Sequence, residues 1–552
     1  MNQTVSRVVK DLFDVDVEVA LTRPEPQFGD YSTNIALQLA GRLGKNPREV
    51  ATAIAEALTT GETVAKVDVA GPGFINLWLS DQALLAAASR LPAKPLEGKV
   101  IVAEYSDPNP FKVLHAGHLY TTIVGDSIAR LVEAAGATVH RVNFGGDVGL
   151  HVAKNMWAII QKLGGEHPDG LNDIDPDLHA RAAWLSARYV EGNEAYENDE
   201  SAKAEIIELN KRLYQLTAEE ERDSDFARLY WKAREWSYDY FKLFYDELGV
   251  VQFEKYYPES VTTPTGIETV KKGLEDGVYQ MSDGAVVFKG EDYGLHTRVF
   301  INSEGLPTYE AKDVGLIMQK WRDYNFDQSI IITGNDIVEY MKVVQKSIEQ
   351  FEPELVKRSV HLTHGNLKLA GGKKMSSRKG TVLLALDVLG AARQAQSTQH
   401  EEVNEPVALG AVKYAFLSNR IGGDIVYDPE TSVSLHGNSG PYLQYAHARA
   451  CSILAKATAD QAEPTGLTDG ERLLVQKLAQ SSEVIERAAE ELMPHLVCNY
   501  LYELAQVFNR FYEQSRIIGD EREAERLALV QRYATTLADG LNLLGIEAPE
   551  RL

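Results

Sequence analysis

The chain has 552 residues, which at roughly 100–200 residues per domain implies three to five domains. Its apolar content of 44% and charged content of 25% are those of an ordinary globular protein. The net charge of −24 excludes a generally basic nucleic-acid coat but leaves room for a nucleic-acid enzyme with a local basic face. Cys451 and Cys498 are too few for a disulfide framework or a four-thiolate zinc site. No apolar run reaches the roughly 18 residues of a membrane helix, and the start (MNQTVSRVVKDLF) lacks a signal peptide's apolar core, so a cytoplasmic protein without membrane contact is expected.

Residues 1–95 read as a small α+β unit. Ile35–Leu43 and Val50–Leu58 have helical apolar spacing, and Val67–Ala70 and Phe74–Leu79 read as short strands around a Gly-Pro-Gly turn. Pro92–Pro95 reads as a linker. From Lys99 the order becomes strand (Val100–Tyr105), helix (Gly117–Ala135), strand (Thr138–Phe144), a βαβ unit that implies a parallel sheet. Residues 165 to about 255 are acidic, aromatic-rich and helical, an insertion into the α/β domain that is expected to face away from any polyanion. Strand and helix signals resume at Ala285–Phe288, Tyr309–Trp321, Ser329–Thr333 and Val338–Phe351, and after about residue 400 the pattern is almost wholly helical.

Two constellations carry chemistry. The first, ending His115-Ala-Gly-His118, sits between the first strand of the βαβ unit and its helix, the crevice where open α/β sheets bind ligands. Helix N-termini attract anions, and two imidazoles there can donate hydrogen bonds to a phosphate chain. Gly117, without a side chain, allows close approach. The second is Gly371-Gly-Lys-Lys374-Met-Ser-Ser377-Arg378-Lys379-Gly. From Leu355 to Leu386 there are seven Lys or Arg and no Asp or Glu. A basic run of this kind is commonly a solvated loop. Its place downstream of the paired histidines, between glycines, favours a clamp on phosphates. No G-x-x-x-x-G-K-[ST] occurs, which disfavours a P-loop NTPase.

Together these resemble the nucleotide motifs of class I aminoacyl-tRNA synthetases. Glu104-Tyr-Ser-Asp-Pro-Asn109, Lys112, His115-Ala-Gly-His118, Gly125-Asp126 and Asn143-Phe-Gly-Gly-Asp147-Val-Gly149 resemble the arginyl-tRNA synthetase family in particular. So do Phe28-Gly-Asp-Tyr31, Pro72-Gly-Phe-Ile-Asn76, the long Gly437–Arg449 segment and the ending Leu544–Arg551. The resemblance implies a multidomain α/β chain. It would have an N-terminal tRNA-elbow-binding domain (1–95), a Rossmann-type catalytic domain with a helical insertion (96–400), and an all-α anticodon-binding bundle (401–552).

The implied activity is ATP-dependent formation of arginyl-adenylate and transfer to tRNA(Arg), with Mg2+ accompanying ATP, by a monomer. The arginine carboxylate is already ionised, so the reaction needs positioning and charge neutralisation more than a strong base. His115, Gly117, His118, Lys374, Met375 and Ser376 correspond to the ATP site. A second loop lysine is usual where Ser377 stands, and Lys112 is inferred to supply the missing ammonium. Glu104, Asn109, Tyr309, Asp313 and Asp336 correspond to the arginine pocket, Tyr309 and Asp313 being four apart on one helix face. Tyr442, Tyr445 and Arg449, at i, i+3 and i+7, and Tyr512 correspond to the anticodon-loop face. No dedicated metal ligands stand out. Arginine activation is expected to need tRNA, as is usual in the family.

The chain departs from the family pattern at Val148, His151, Tyr120 and Asp107, and at its terminal Leu552. A small-molecule adenylyltransferase could use the same paired histidines, but it would not need a helical C-terminal region with an aromatic face. A silent paralogue would be expected to have lost His115, His118 or Lys374, and all are present.

Overall fold

The computed structural model of the chain describes residues 1–58, 62–370, 383–399 and 403–552. In the N-terminal unit, strand Phe74–Leu79 lies between Tyr31–Thr33 and Val64–Ala70 in an antiparallel sheet. Ile75 and Leu77, two apart and so on one face, pack on Val5, Val9, Ile35, Leu39, Val50 and Ile54 from three helices. This unit docks on the C-terminal helices through ions: Arg472 Nη2 donates to Asp30 Oδ2 at 2.8 Å, and Arg23 Nη2 to Glu483 Oε1 at 2.8 Å.

The central region is built on five parallel strands: β1 (Val100–Glu104), β2 (Thr138–Gly145), β3 (Lys255–Pro258), β4 (Gln328–Gly334) and β5 (Ser359–His364). Their order is β3-β2-β1-β4-β5. The chain runs outward from β1 to β3, then returns to β4 beside β1, so the order reverses between β1 and β4. Ligands of such sheets bind outside the strand ends at that reversal. The Ala116–Ala134 helix rises from the end of β1, and the Asn335–Ile337 turn follows β4.

Between β2 and β3 stand the helices Leu150–Leu163, Leu178–Asn198, Glu200–Ala218 and Asp225–Leu248, with their own core of Phe226, Tyr230, Trp236, Leu185 and Leu213. Between β3 and β4, helix Glu259–Glu275 lies against helix Tyr309–Tyr324. That contact is glycine-dependent: a Cβ on Gly266 would lie 2.0 Å from the Ala311 carbonyl oxygen, and one on Gly315 2.2 Å from that of Thr262. The two helices therefore pack backbone to backbone, which brings Glu259 to Lys312 and fixes the height of Asp313.

Six helices of eight or more residues follow, from Glu405–Leu417 to Glu523–Leu543. One element departs from the expected all-helical pattern. Ile425–Tyr427, two β-branched residues and a tyrosine, pairs in parallel with Leu367–Leu369. A single core joins the helical region to the sheet, with Tyr120 packing edge-on to Phe416 at 5.4 Å and Ser127 Oγ donating to the Leu543 carbonyl at 3.0 Å. No helix among the described residues is long and apolar enough to cross a membrane.

Candidate active site

The turn after β1 is closed by its own histidines. His115 is the N-cap of the Ala116–Ala134 helix, and its Nδ1 accepts from the backbone N–H of Gly117 at 3.1 Å and of His118 at 3.3 Å. His118 Nδ1 accepts in return from the His115 N–H at 3.2 Å. A capping box is usually made by Ser or Thr with Glu; here two imidazoles make it. Because each Nδ1 accepts, each ring carries its proton on Nε2. The rings stack 3.6 Å apart. Burial, reinforced by Lys112, lowers His115 to about 4, and burial with His115 beside it holds His118 well below the ordinary histidine range. Both are therefore neutral at pH 7 and offer two dipolar N–H donors. Gly117 has a structural reason as well as its place in the motif. A Cβ there would lie 2.9 Å from the His115 ring, so the glycine admits the capping imidazole.

Lys112 lies over the ring of Tyr189, 3.7 Å from its centroid, and burial followed by Lys154 lowers its ammonium to about 8. Lys374, Met375 and Ser376 lie outside the described residues. The chain that follows them is joined to the histidine turn: Ala116 N–H donates to the Leu383 carbonyl at 2.9 Å and Ala385 N–H to that of Leu114 at 3.0 Å. Across the reversal point, Asp336 is exposed and its carboxylate favours the charged forms of His115 and His364. His364 shares a 2.6 Å hydrogen bond with Thr121 Oγ1.

The other half of the crevice is acidic. Asp313 is buried one turn into the Tyr309–Tyr324 helix and accepts from the Tyr340 hydroxyl. Burial, with Glu104 and Glu259 near, lifts its carboxyl to about 7 despite that hydrogen bond. Among the described residues no cation pairs directly with it. Tyr309, four residues earlier, is 58% exposed at the mouth. The neighbouring acids are already matched, Glu104 to Lys320 and Glu259 to Lys312, and the Glu259 carboxylate keeps Lys312 charged against its burial. Asn109 Oδ1 accepts from the Gly146 N–H at 2.8 Å. Asp107 Oδ1 accepts from the Phe144 N–H at 2.8 Å, and burial beside Glu104 raises its carboxyl. His151 Nε2 donates to the Gly146 carbonyl at 2.7 Å, Val148 is fully buried, and Tyr120 lies in the core against His364.

Family models match the chain from end to end: the arginyl tRNA synthetase N-terminal domain over residues 1–79, the catalytic domain of tRNA synthetases class I (R) over 81–428, and the DALR anticodon binding domain over 443–552. The chain belongs to the arginyl-tRNA synthetase family. It is 31% identical to an arginine–tRNA ligase of Mannheimia succiniciproducens, over 96% of this chain and 94% of that one. It is 29% identical to one of Porphyromonas gingivalis, over 100% and 99%. The Thermus thermophilus arginyl-tRNA synthetase structure is similar at a TM-score of 0.80 and 26% identity, covering 100% of this chain and 99% of that one.

In this arginyl-tRNA synthetase family member, the C-terminal helical region carries an aromatic and cationic face on which Tyr445 and Tyr512 are exposed and Tyr442 and Arg449 half-buried. Helix Gly440–Lys456 presents Tyr442, Tyr445 and Arg449, and helix His495–Gln514 adds Tyr512. The Arg449 guanidinium lies 4.9 Å from the Tyr445 ring and 5.9 Å from the Tyr512 ring, and its Nη1 donates to Asn509 Oδ1 at 3.1 Å. Asn509 Nδ2 donates to the Tyr442 hydroxyl at 2.8 Å, so Asn509 bridges Tyr442 and Arg449.

Several residues at the catalytic crevice escape sequence reading. Lys312 and Lys320 share a helix face with Tyr309 and Asp313, at +3 and +11 from Tyr309, a signal that was present but reads more simply as solvated charge. Tyr340 closes a segment in which Asp336 draws the attention. Glu259, Tyr189 and Tyr214 have no local signal at all. Tyr189 and Tyr214 also alter the view of the acidic insertion. Their rings reach lysines of the α/β domain, Tyr189 lying 3.7 Å from the Lys112 ammonium and Tyr214 5.5 Å from that of Lys312, so part of the insertion packs toward the crevice.

Proposed function

We propose that the chain activates arginine with ATP and transfers it to tRNA within the crevice between β1 and β4. The observation that carries this reading is Asp313, a buried carboxyl with one tyrosine donor and no direct cationic partner among the described residues, in a chain whose turn after β1 carries two neutral imidazole donors. A guanidinium remains charged at any physiological pH and offers planar forked donors, so it is the side chain such a carboxylate suits. Tyr309 and Asp313 would hold the guanidinium end and Glu104 and Asn109 the α-amino acid end, with Asp336 a further pocket residue on the histidine side, where its charge acts on His115 and His364.

The arginine carboxylate oxygen attacks the α-phosphorus, forming the acyl phosphate bond as the bond to the β-phosphate oxygen breaks and pyrophosphate leaves. His115 and His118 donate from Nε2 to phosphate oxygens, and Lys112 and Lys374 supply the positive charge that neutral imidazoles lack. Gly117, Met375 and Ser376 complete the ATP site. Among the described residues no group of three or more His, Cys, Asp or Glu is placed to hold a metal. With Nδ1 engaged in the cap and Nε2 protonated, neither His115 nor His118 offers a lone pair to a metal, so Mg2+ would accompany ATP rather than be held by these side chains, and would add positive charge at the phosphates. In the second step the 3′-terminal ribose hydroxyl attacks the acyl carbon and AMP leaves. The domain roles that complete this reading are tRNA-elbow contact by residues 1–95, chemistry by 96–400 and anticodon contact by 401–552, in a cytoplasmic monomer.

ATP–pyrophosphate exchange with each standard amino acid, with and without tRNA, tests the proposal. Exchange is expected with arginine alone and strongest with tRNA present; none with any amino acid would refute it. On the anticodon side, Tyr445→Ala should raise the KM for tRNA roughly tenfold, since base–aromatic stacking contributes about 1–3 kcal/mol. The KM for arginine at saturating tRNA should stay near wild type. An unchanged tRNA KM would remove Tyr445 from the contact.

A further inference from the structure

Lys112 stands between cationic and imidazole neighbours without a carboxylate of its own. Lys154 acts on it repulsively, and Lys112 in turn disfavours protonation of His115, His118 and His151. Lys154 is engaged elsewhere, donating to Asn193 Oδ1 at 2.9 Å and lying 4.1 Å from the Tyr196 ring. Among the described residues Lys112 makes no ion pair, and the attractive partner it does have is the Tyr189 ring, 3.7 Å below its ammonium. Tyr189 belongs to the insertion helix Leu178–Asn198, whose distance from helix Leu150–Leu163 is set by Gly192: a Cβ there would lie 1.9 Å from the Lys154 carbonyl oxygen. The ring is thus held at a fixed height over the residues that follow β1.

We infer that Tyr189 is a positioning residue, its ring holding the Lys112 ammonium beside the paired histidines for the phosphates of ATP. The inference rests on the ligase reading above. A π face suits this task better than a carboxylate. It attracts the ammonium through the ring quadrupole yet adds no net negative charge that would repel a triphosphate or compete with it. It also strips part of the water shell from the ammonium before the phosphate arrives, so less has to be displaced on binding. In this way the insertion, which contributes none of the nucleotide motifs, would set the geometry of one of them.

The test is a double-mutant cycle in the full chain, read by arginine-dependent ATP–pyrophosphate exchange and by thermal melting. Tyr189→Leu should lower the exchange rate roughly tenfold, as expected for loss of a cation–π contact, with the melting temperature held. Tyr189→Phe, which keeps the ring and removes the hydroxyl, should stay within about twofold of wild type. In a Lys112→Met background, Tyr189→Leu should cost nothing further, because contacting residues couple while independent ones add. A Phe variant as slow as the Leu variant, or a Leu loss that persists undiminished beside Lys112→Met, overturns the inference. A wild-type chain with no exchange overturns the ligase reading and this inference with it, an outcome distinct from an active wild type whose losses simply add.

Discussion

Replacing His118 by alanine should slow arginine-dependent ATP–pyrophosphate exchange by about 10²–10³-fold, the loss expected when one preorganised transition-state donor is removed. The ring has two jobs here. Its Nδ1 accepts the His115 N–H at 3.2 Å and so helps cap the helix, while its Nε2–H is left for a phosphate oxygen. Losing the cap alone costs roughly 0.5–2 kcal/mol of stability, which melting would register without abolishing the fold. His118→Asn separates the two jobs: its side-chain oxygen can accept the same N–H, but its amide does not reach as far as an imidazole. The Asn variant should melt like wild type and remain slow. Because burial holds His115 near 4 and His118 well below the ordinary histidine range, kcat should show no inflection near pH 6.5. Filter binding should find tRNA affinity nearly intact in both variants. An equal fall in tRNA binding would make His118 a structural residue and sink the assignment.

The second large effect lies at Asp313, where Asp313→Asn should raise the KM for arginine by at least tenfold. Asparagine keeps an oxygen for the Tyr340 hydroxyl and removes only the charge. The sign of the accompanying pH dependence follows from the carboxyl's lifted value of about 7. A guanidinium binds the ionised form, so the KM for arginine in the wild type should fall as pH rises toward 7 and level off above it. In the Asn variant that dependence should be absent. Stability moves the other way. A carboxyl whose folded value is raised stabilises the fold fully only below its unfolded value, and that contribution is lost as pH climbs through 7. Lifting the group from 3.8 to about 7 amounts to roughly 4 kcal/mol lost from the unliganded fold by pH 8. At pH 8 the Asn variant should therefore melt no lower than wild type, and arginine should stabilise only the wild type. A KM that does not move takes Asp313 out of the pocket.

The two halves of the crevice differ in how readily they can be read from the chain. The histidine turn is local: a strand, a capping residue, a glycine and a helix start within fifteen residues, so its place at a strand end follows from patterning alone. Tyr309 and Asp313 are local in the same sense, being one helical turn apart. The partners that decide how these groups behave are remote. Lys320 reaches Glu104 across 216 positions, Lys312 reaches Glu259 across 53, and Tyr340 reaches Asp313 across 27. Each pair exists because helices and strands with their own local reasons to form happen to stack there, and Gly266 and Gly315 let two of those helices touch.

The strand-helix-strand order at β1 and β2, the anion-seeking turn after β1 and the spacing of tyrosines and arginine in the last helices were determined by the sequence, because helical and strand periodicity, capping chemistry and motif spacing act over a few residues, whereas β3, β5 and the Ile425–Tyr427 strand emerged only with the fold. The neutrality of the two histidines, the lack of a cation paired with Asp313 among the described residues, the continuous core between the sheet and the C-terminal helices, and the approach of the insertion's Tyr189 to Lys112 were decided only by the tertiary structure. Burial and distance between remote segments set how a charge is solvated and matched, and those quantities do not exist until the segments have packed.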